Sequence, residues 1–226
     1  MIVNKRLKEV GRLVDNNSSF LDIGCDHAFL DIYLAQDKTR NFKKIVASDN
    51  KEGPLTQAKN NINQHKLSKK IELRLGSGLD IYTDDIDTVV ISGMGGRNMI
   101  GIFKAHPECL KTIDTLILSP NNYQIDVKEY LTKVGYYIED EVLVKDSKFL
   151  YQIIKFKKGK KKYSKRELFF GPVLLAKKDD NFIYYYKREL KSREIILELL
   201  PKGFSFRKVK LKKEMKLIKN ELNIQM

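Results

Sequence analysis

A glycine, a thiol, a carboxylate and an imidazole follow one another at Gly24-Cys25-Asp26-His27. The apolar residues Phe20, Leu21 and Ile23 lead into this turn, and Ala28, Phe29, Ile32, Tyr33 and Leu34 leave it at helical spacing. A buried strand that turns through a glycine into a helix is the opening βα unit of a nucleotide-binding sheet. Such a turn sets backbone N–H groups and a helix N-terminus beside whatever binds there. A dinucleotide site uses the three glycines of G-x-G-x-x-G to admit a pyrophosphate. Here one glycine is followed by Asp26, which repels phosphate. An acidic turn suits a cationic ligand without phosphates, of which S-adenosylmethionine is the common one.

Four further segments put polar or glycine-rich residues where strands end. Asp49-Asn50 closes Lys44-Ile-Val-Ala-Ser-Asp49, so Asp49 can accept both hydroxyls of a ribose or can cap the helix that follows. Gly76-Ser77-Gly78 closes Ile71-Glu-Leu-Arg-Leu75, and Gly93-Met94-Gly95-Gly96 closes Asp87-Thr-Val-Val-Ile-Ser92. Three glycines in four residues allow close backbone approach that a plain turn does not need. The last is Ser119-Pro120-Asn121-Asn122-Tyr123. An amide there can read the Watson–Crick edge of a base and an aromatic ring can stack on it. The same residues also make an ordinary Pro-Asn turn before a helix. His27 is read as part of the turn rather than as a base. The three histidines are far apart and no nucleophile elbow or phosphate loop is present, so no metal is expected.

These turns require five alternating strand–helix units. The first strand is preceded by a short helix over residues 4 to 14, with Leu7, Val10 and Val14 on one face. Helices are predicted over 52 to 67, from Gly96 to about His106, and from about Tyr123 to Val134. Then Tyr136 to Asp146 and Lys148 to Lys157 form a hairpin turning at 145 to 148. The result is a mostly parallel Rossmann-like α/β sheet with an antiparallel edge, the layout of class I methyltransferases. A cationic linker at 157 to 165 divides a domain 1–158 from a helical domain 159–226. In the latter, Phe169 to Leu175 reads as an apolar docking segment. Ile183, Tyr186, Leu190, Leu197 and Leu200 form one seam, broken by Arg193. Leu211, Met215, Ile218 and Leu222 form another, and Pro201-Lys202-Gly203 separates the two. This predicts an antiparallel coiled-coil hairpin.

The net charge of +14 is concentrated at one end. Residues 1–154 hold 21 basic and 21 acidic side chains, whereas residues 155–226 hold 22 and 8. Base composition would spread such an excess, so the tail is expected to meet a polyanion. Cys25 and Cys109 are the only cysteines and lie in no C-x-x-C pair, which excludes a disulfide scaffold or zinc cage. There is no signal peptide and no apolar run of about 18 residues, so a cytoplasmic chain without membrane contact is expected.

Asp22-Ile-Gly-Cys-Asp-His-Ala28, Ser92-Gly-Met-Gly-Gly96, Pro120-Asn121 and Gly171-Pro-Val-Leu-Leu175 together resemble the bacterial tRNA adenine-N1 methyltransferases that modify adenine 22 of the D-arm. The resemblance implies S-adenosylmethionine as cofactor and tRNA as partner. It assigns Gly24, Asp26, His27, Asp49, Gly93 and Met94 to the cofactor, and Cys25, Asn50, Ser77 and Gly78, in the same turns, join them as cofactor-binding candidates. Asp26, Pro120 and Asn121 become the catalytic candidates. Asn121 and Tyr123 face the base, and Lys161, Lys162, Arg166 and Arg193 are candidate contacts to the tRNA backbone. Methylation at N1 uses the ring's own lone pair, so alignment and nearby negative charge matter more than a general base. Two residues depart from the family: Ser77 stands where an aspartate is frequent, and Cys25 where a serine is. A monomer is expected, although the hairpin can also dimerise. The alternatives are a class I methyltransferase for another RNA or small substrate, or a non-catalytic RNA-binding protein on the same scaffold.

Overall fold

A computed structural model describes residues 3–201, 203 and 205–224. The chain forms two compact units, Met1–Tyr163 and Ser164–Met226. The first unit opens with α1 (Lys5–Leu13), capped by the Asn4 side chain, which accepts from the Leu7 N–H at 2.8 Å. There follow β1 (Ser19–Ile23), α2 (Phe29–Gln36), β2 (Lys44–Asp49), α3 (Glu52–Gln64), β3 (Ile71–Leu75), β4 (Thr88–Ser92) and α4 (Gly96–Ala105). A short 3-10 turn at Cys109–Lys111 precedes β5 (Thr115–Ser119), α5 (Gln124–Lys133), β6 (Tyr136–Asp146) and β7 (Phe149–Lys158).

The strands form one seven-stranded sheet in the order β3-β2-β1-β4-β5-β7-β6. The first five strands are parallel, and β7 runs antiparallel to both β5 and β6. All five residues of the central β1 are buried, as expected of a parallel strand covered on both faces. Ile23 is level with Ser48 of β2 and Ile91 of β4, so the turns after these three strands open at one edge. The hairpin turn is Ser147-Lys148, with Ser147 at φ +55°, and pairing resumes at Phe149 rather than Lys148. Beneath the hairpin, the fully buried Lys128 of α5 faces the fully buried Glu141 of β6 at 3.6 Å. Gln152 donates to the same carboxylate at 3.1 Å.

The second unit contains α6 (Lys165–Phe170), α7 (Pro172–Lys177), α8 (Asp180–Leu199) and α9 (Ser205–Glu221). Ser164 and Glu167 make a reciprocal capping box at the start of α6, Pro172 begins α7, and Asp179 caps α8. The segment read as a docking patch is instead the α6–α7 corner. Phe169 and Phe170 pack with Phe182 and Tyr186 of α8, and the Tyr186 hydroxyl donates to the Phe170 carbonyl at 2.9 Å. The buried face of α8 is Phe182, Tyr186 and Leu190, so the apolar seam starts one residue before Ile183. Leu211 and Ile218 of α9 are buried as the spacing predicts. Lys202 of the predicted break lies outside the described residues.

Candidate functional site

The β1 turn is fastened to β2 by its backbone. Gly24 and Cys25 both donate N–H groups to the Ser48 carbonyl at 2.8 Å. Gly24 holds φ +75°, a conformation that favours glycine. Cys25 points inward; burial, with Asp31 and its neighbours adding negative charge, drives its thiol far above the usual range, so it is an inert packing group. Asp26 projects outward at the rim, 70% exposed, with His27 Nε2 at 3.6 Å from its carboxylate.

The β4 and β5 turns are tied to each other. The Asn121 side-chain amide donates to the Gly93 carbonyl at 2.5 Å, and its main-chain N–H donates to Met94 O at 2.9 Å. Asn122 Oδ1 accepts from the Gly96 N–H at 3.2 Å. Gly96 is packed so tightly that a Cβ there would lie 2.5 Å from the Asn122 carbonyl oxygen. Tyr123, in the left-handed region at φ +54°, presents a half-exposed ring with the Arg97 guanidinium 4.0 Å from its centroid. Pro120 contributes a carbonyl that accepts from Gln124 at 3.2 Å.

Two cavities meet at Gly24. One, of about 250 Å³, is lined by Gly24, Asn50, Ser77, Gly78, Met94 and Ile102 among others. Its walls are uncharged, and Gly78 at φ +56° lies against Ile102. Asp49 stands at the end of β2 with one carboxylate oxygen accepting from Lys51 N–H at 3.0 Å, a turn bond that precedes α3 rather than a cap on it, because Lys51 is the N-cap and no side chain caps that helix. The second cavity, of about 280 Å³, is lined by Arg6, Asp22, Asp26, His27, Ser92 and Gly93 among others.

Sequence reasoning missed the floor and one wall of this second cavity. Asp22 is 5% exposed and Asp31 fully buried, and they share one apolar environment. Burial raises Asp22 to about 7, with the adjoining Asp31 side chain opposing and the Asp49 charge adding; burial, with the Asp22 charge adding, also raises Asp31 well above the usual carboxylate range. A carboxylate inside an otherwise apolar strand was the available signal for Asp22. Arg6, on α1, leans over the Tyr151 ring at 4.8 Å and lies against Gly93. An uncharged slot continuous with one carrying both charge signs fits S-adenosylmethionine, which joins an adenosyl group to a charged amino-acid end.

The candidate backbone contacts divide into two kinds. Lys161 and Lys162 are exposed and line a further cavity with Thr132, Lys133 and Lys160. Arg193, by contrast, is only 16% exposed and bonds Glu214 at 2.8 Å and Glu189 at 2.5 Å, so it bridges α8 and α9 rather than facing solvent. Arg166 makes a two-pronged bond to Glu221 at 2.7 and 2.8 Å. The charges of both arginines are thus met within their own unit, Arg193 largely shielded from solvent and Arg166 still exposed. Among the described residues, His106, Glu108 and Cys109 bring metal-ligating atom types together, but both His106 ring nitrogens already engage Asp80 and Glu108. No helix among the described residues is long and apolar enough to cross a membrane.

Residues 20–225 match the family described as tRNA (adenine(22)-N(1))-methyltransferase. The chain is similar to the tRNA (adenine(22)-N(1))-methyltransferase of Bacillus subtilis, 28% identical over 203 residues that cover 87% of this chain and 84% of the relative. It is also similar to a solved structure of an NADB-Rossmann superfamily protein from Streptococcus agalactiae, with 31% identity, a TM-score of 0.91 and 98% of each chain covered. A third is Streptococcus pneumoniae Sp1610 in complex with S-adenosyl-L-methionine, at 30% identity and TM-score 0.88, covering 98% of this chain and 100% of that one.

Proposed function

The chain belongs to the tRNA (adenine(22)-N(1))-methyltransferase family, and from that premise we propose that it transfers the methyl group of S-adenosylmethionine to N1 of adenine 22 in the tRNA D-arm. The bond from Asn121 to Gly93 is the observation that carries this proposal. It brings the Pro-Asn turn, where a base would be read, against the turn that flanks the Gly24 cavities.

When bound, S-adenosylmethionine supplies a methyl group activated by a sulfonium. The adenosyl half belongs in the uncharged cavity, with Asn50, Ser77, Gly78 and Met94 around it and the second Asp49 oxygen on the ribose. Ser77 would meet the adenine with a hydroxyl or backbone group. The remaining half lies beside Gly24, Cys25, Asp26, His27 and Gly93.

Adenine N1 attacks with its own lone pair, so no residue needs to remove a proton, and the ring gains positive charge as the bond forms. With one Asn121 N–H committed to Gly93, its side-chain oxygen remains to accept from the base. An acceptor beside the N6 amino group strengthens its bond as that group becomes more acidic. Tyr123, stiffened by Arg97, provides a stacking face, and the Pro120 turn fixes the distance. Asp26 contributes negative charge at the rim. Exposed lysines, including Lys161 and Lys162, hold the tRNA backbone.

A tRNA transcript incubated with the protein and labelled S-adenosylmethionine, then mapped by reverse-transcription stops, tests this directly. Methylation confined to adenine 22, and lost when guanosine replaces that base, is expected. Methylation of another base, or none, would overturn the proposal.

A further inference from the structure

We propose that the tip of the β6–β7 hairpin is a stacking platform for RNA, on which Phe149 takes the face of a nucleotide next to the base being methylated and Lys148 meets the adjoining phosphate. This rests on the preceding proposal that the chain methylates tRNA, and assigns part of that substrate to a segment outside the sequence motifs.

The hairpin overshoots the sheet. The last pair between β5 and β7 is Leu118 with Ile154, whereas β6 and β7 continue to pair as far as Asp146 with Phe149. Five more residues, at roughly 3.3 Å each, carry Phe149 about 16 Å beyond Leu118. It thus stands past the edge at which the β4 and β5 turns open. Phe149, Tyr151 and Ile153 share one face of β7. Ile153 is buried in the core with Val10 and Leu13 of α1, Tyr151 is half-buried under Arg6, and Phe149 is 52% exposed.

The groups along this overhang alternate between aromatic and cationic. Lys148 Nζ stands 5.6 Å from the Phe149 ring centroid, and the Phe149 and Tyr151 rings are 6.3 Å apart. The Arg6 guanidinium lies 4.8 Å from the Tyr151 centroid, and a Cβ at Gly93 would be 3.3 Å from Arg6 Nη1. The row therefore runs from the hairpin tip to the turn that Asn121 holds. Within residues 145–148, Lys145 and Lys148 are exposed and Asp146 is the one carboxylate. Rings offer a stacking face to any base while cations answer the backbone, the combination with which proteins hold unpaired nucleotides. An adenine within an arm has to leave its stack to reach a site at a sheet edge, and its neighbour then loses a stacking face. Phe149 replaces that face.

Binding and single-turnover methylation test the platform with full-length tRNA transcripts, either intact or carrying an abasic residue at position 21 or 23. On intact tRNA, Phe149→Ala should weaken binding by about 5- to 150-fold, the range for losing one base–aromatic stack. Its affinity for S-adenosylhomocysteine should stay within twofold of wild type. Phe149→Trp should bind tRNA at least as well as wild type, whereas Phe149→Leu should be nearly as weak as Phe149→Ala. At one of the two abasic positions the wild-type chain should lose affinity and Phe149→Ala should lose less than twofold more. Full losses by both proteins at both positions would overturn the platform, as would wild-type affinity in Phe149→Ala or Phe149→Leu. A Phe149→Ala chain that keeps its tRNA affinity but sediments as a smaller species than wild type would overturn it in favour of a contact with a second copy of the chain. Failure of the wild-type chain to bind tRNA at all would instead sink the proposed function, and the platform with it.

Discussion

The Asn121 side chain donates to the Gly93 carbonyl at 2.5 Å while its own backbone N–H reaches Met94 O at 2.9 Å. One residue therefore fastens the β5 turn to the β4 turn twice, and its amide oxygen is left to face a ligand. Asn121→Ala should lower the single-turnover rate by about 10²- to 10³-fold, the range for losing one preorganised polar group. Affinity for S-adenosylhomocysteine should fall less than tenfold. Asn121→Asp should be at least as slow, because it turns the Gly93 contact into oxygen against oxygen. Rapid-quench methylation and calorimetry check this, and a rate within threefold of wild type for Asn121→Ala would remove the residue from the reaction.

Asp22 gives the ligand-free protein a defined pH dependence. Burial lifts it to about 7, whereas an unfolded Asp titrates near 3.9. Between these values the native chain keeps a proton that the unfolded chain has lost. The native state thus binds more protons, and this group's effect is to lower stability as pH rises through that window. Asp49 faces Asp22 with like charge and the adjoining Asp31 side chain opposes the rise, while Arg6, Cys25, Asp26 and His27 share its cavity. Asp22→Asn should raise the ligand-free melting temperature at pH 8 more than at pH 5. An equal shift at both pH values in thermal melts would contradict this origin.

Helix α4 offers a paired test of packing. Gly96→Ala places a methyl group 2.5 Å from Asn122 O and 2.9 Å from a Val127 methyl. Overpacking of this kind costs about 1–3 kcal/mol, and a chain of this size loses about 2–4 °C per kcal/mol. Gly101→Ala, in the same helix with nothing within 4 Å, should be stabilising by up to about 1 kcal/mol. Thermal melts of the two variants should move in opposite directions.

The basic tail separates charge that is free from charge that is paired. Lys212, Lys213 and Lys216 of α9 are exposed. Replacing all three by Glu should weaken tRNA binding and flatten its dependence on salt by about 0.7–0.9 in log–log slope for each phosphate no longer neutralised. Arg193→Ala should instead lower the melting temperature and leave that slope unchanged, because its charge is met by Glu189 and Glu214. Filter binding across a salt series distinguishes the two effects.

The order of strands and helices was legible because each physical cause is local. Parallel strands read as unbroken apolar runs, and Gly24, Asp49, Gly78, Gly93 and Asn121 stand out as turn residues at their ends. Arg6 was illegible because nothing in α1 marks it; only the folded sheet brings it over Gly93. Asp22 was visible as a charge in an apolar strand but not as one buried beside Asp31. For Arg193 the difficulty was reversed. Counting charges says how many cations a tail has, not which already have carboxylates, and the residue that breaks an apolar seam clasps two helices. Phe182 was passed over because Ile183 fits the same spacing, and only the aromatic packing of α6 decides between them.

The buried contact between Lys128 and Glu141 bears on how far the turn from Pro120 to Tyr123 can move. Separating such a pair strands a charge in apolar surroundings, at about 3–5 kcal/mol. Helix α5, which begins just after Tyr123, therefore cannot lift away from β6 by itself. Its amide protons and those of β6 should exchange with solvent together, at the slow rate of opening the whole sheet edge. The turn from Pro120 to Tyr123, itself fastened to the β4 turn by Asn121 and Asn122, is then a preformed seat on a stiff frame rather than a moving part.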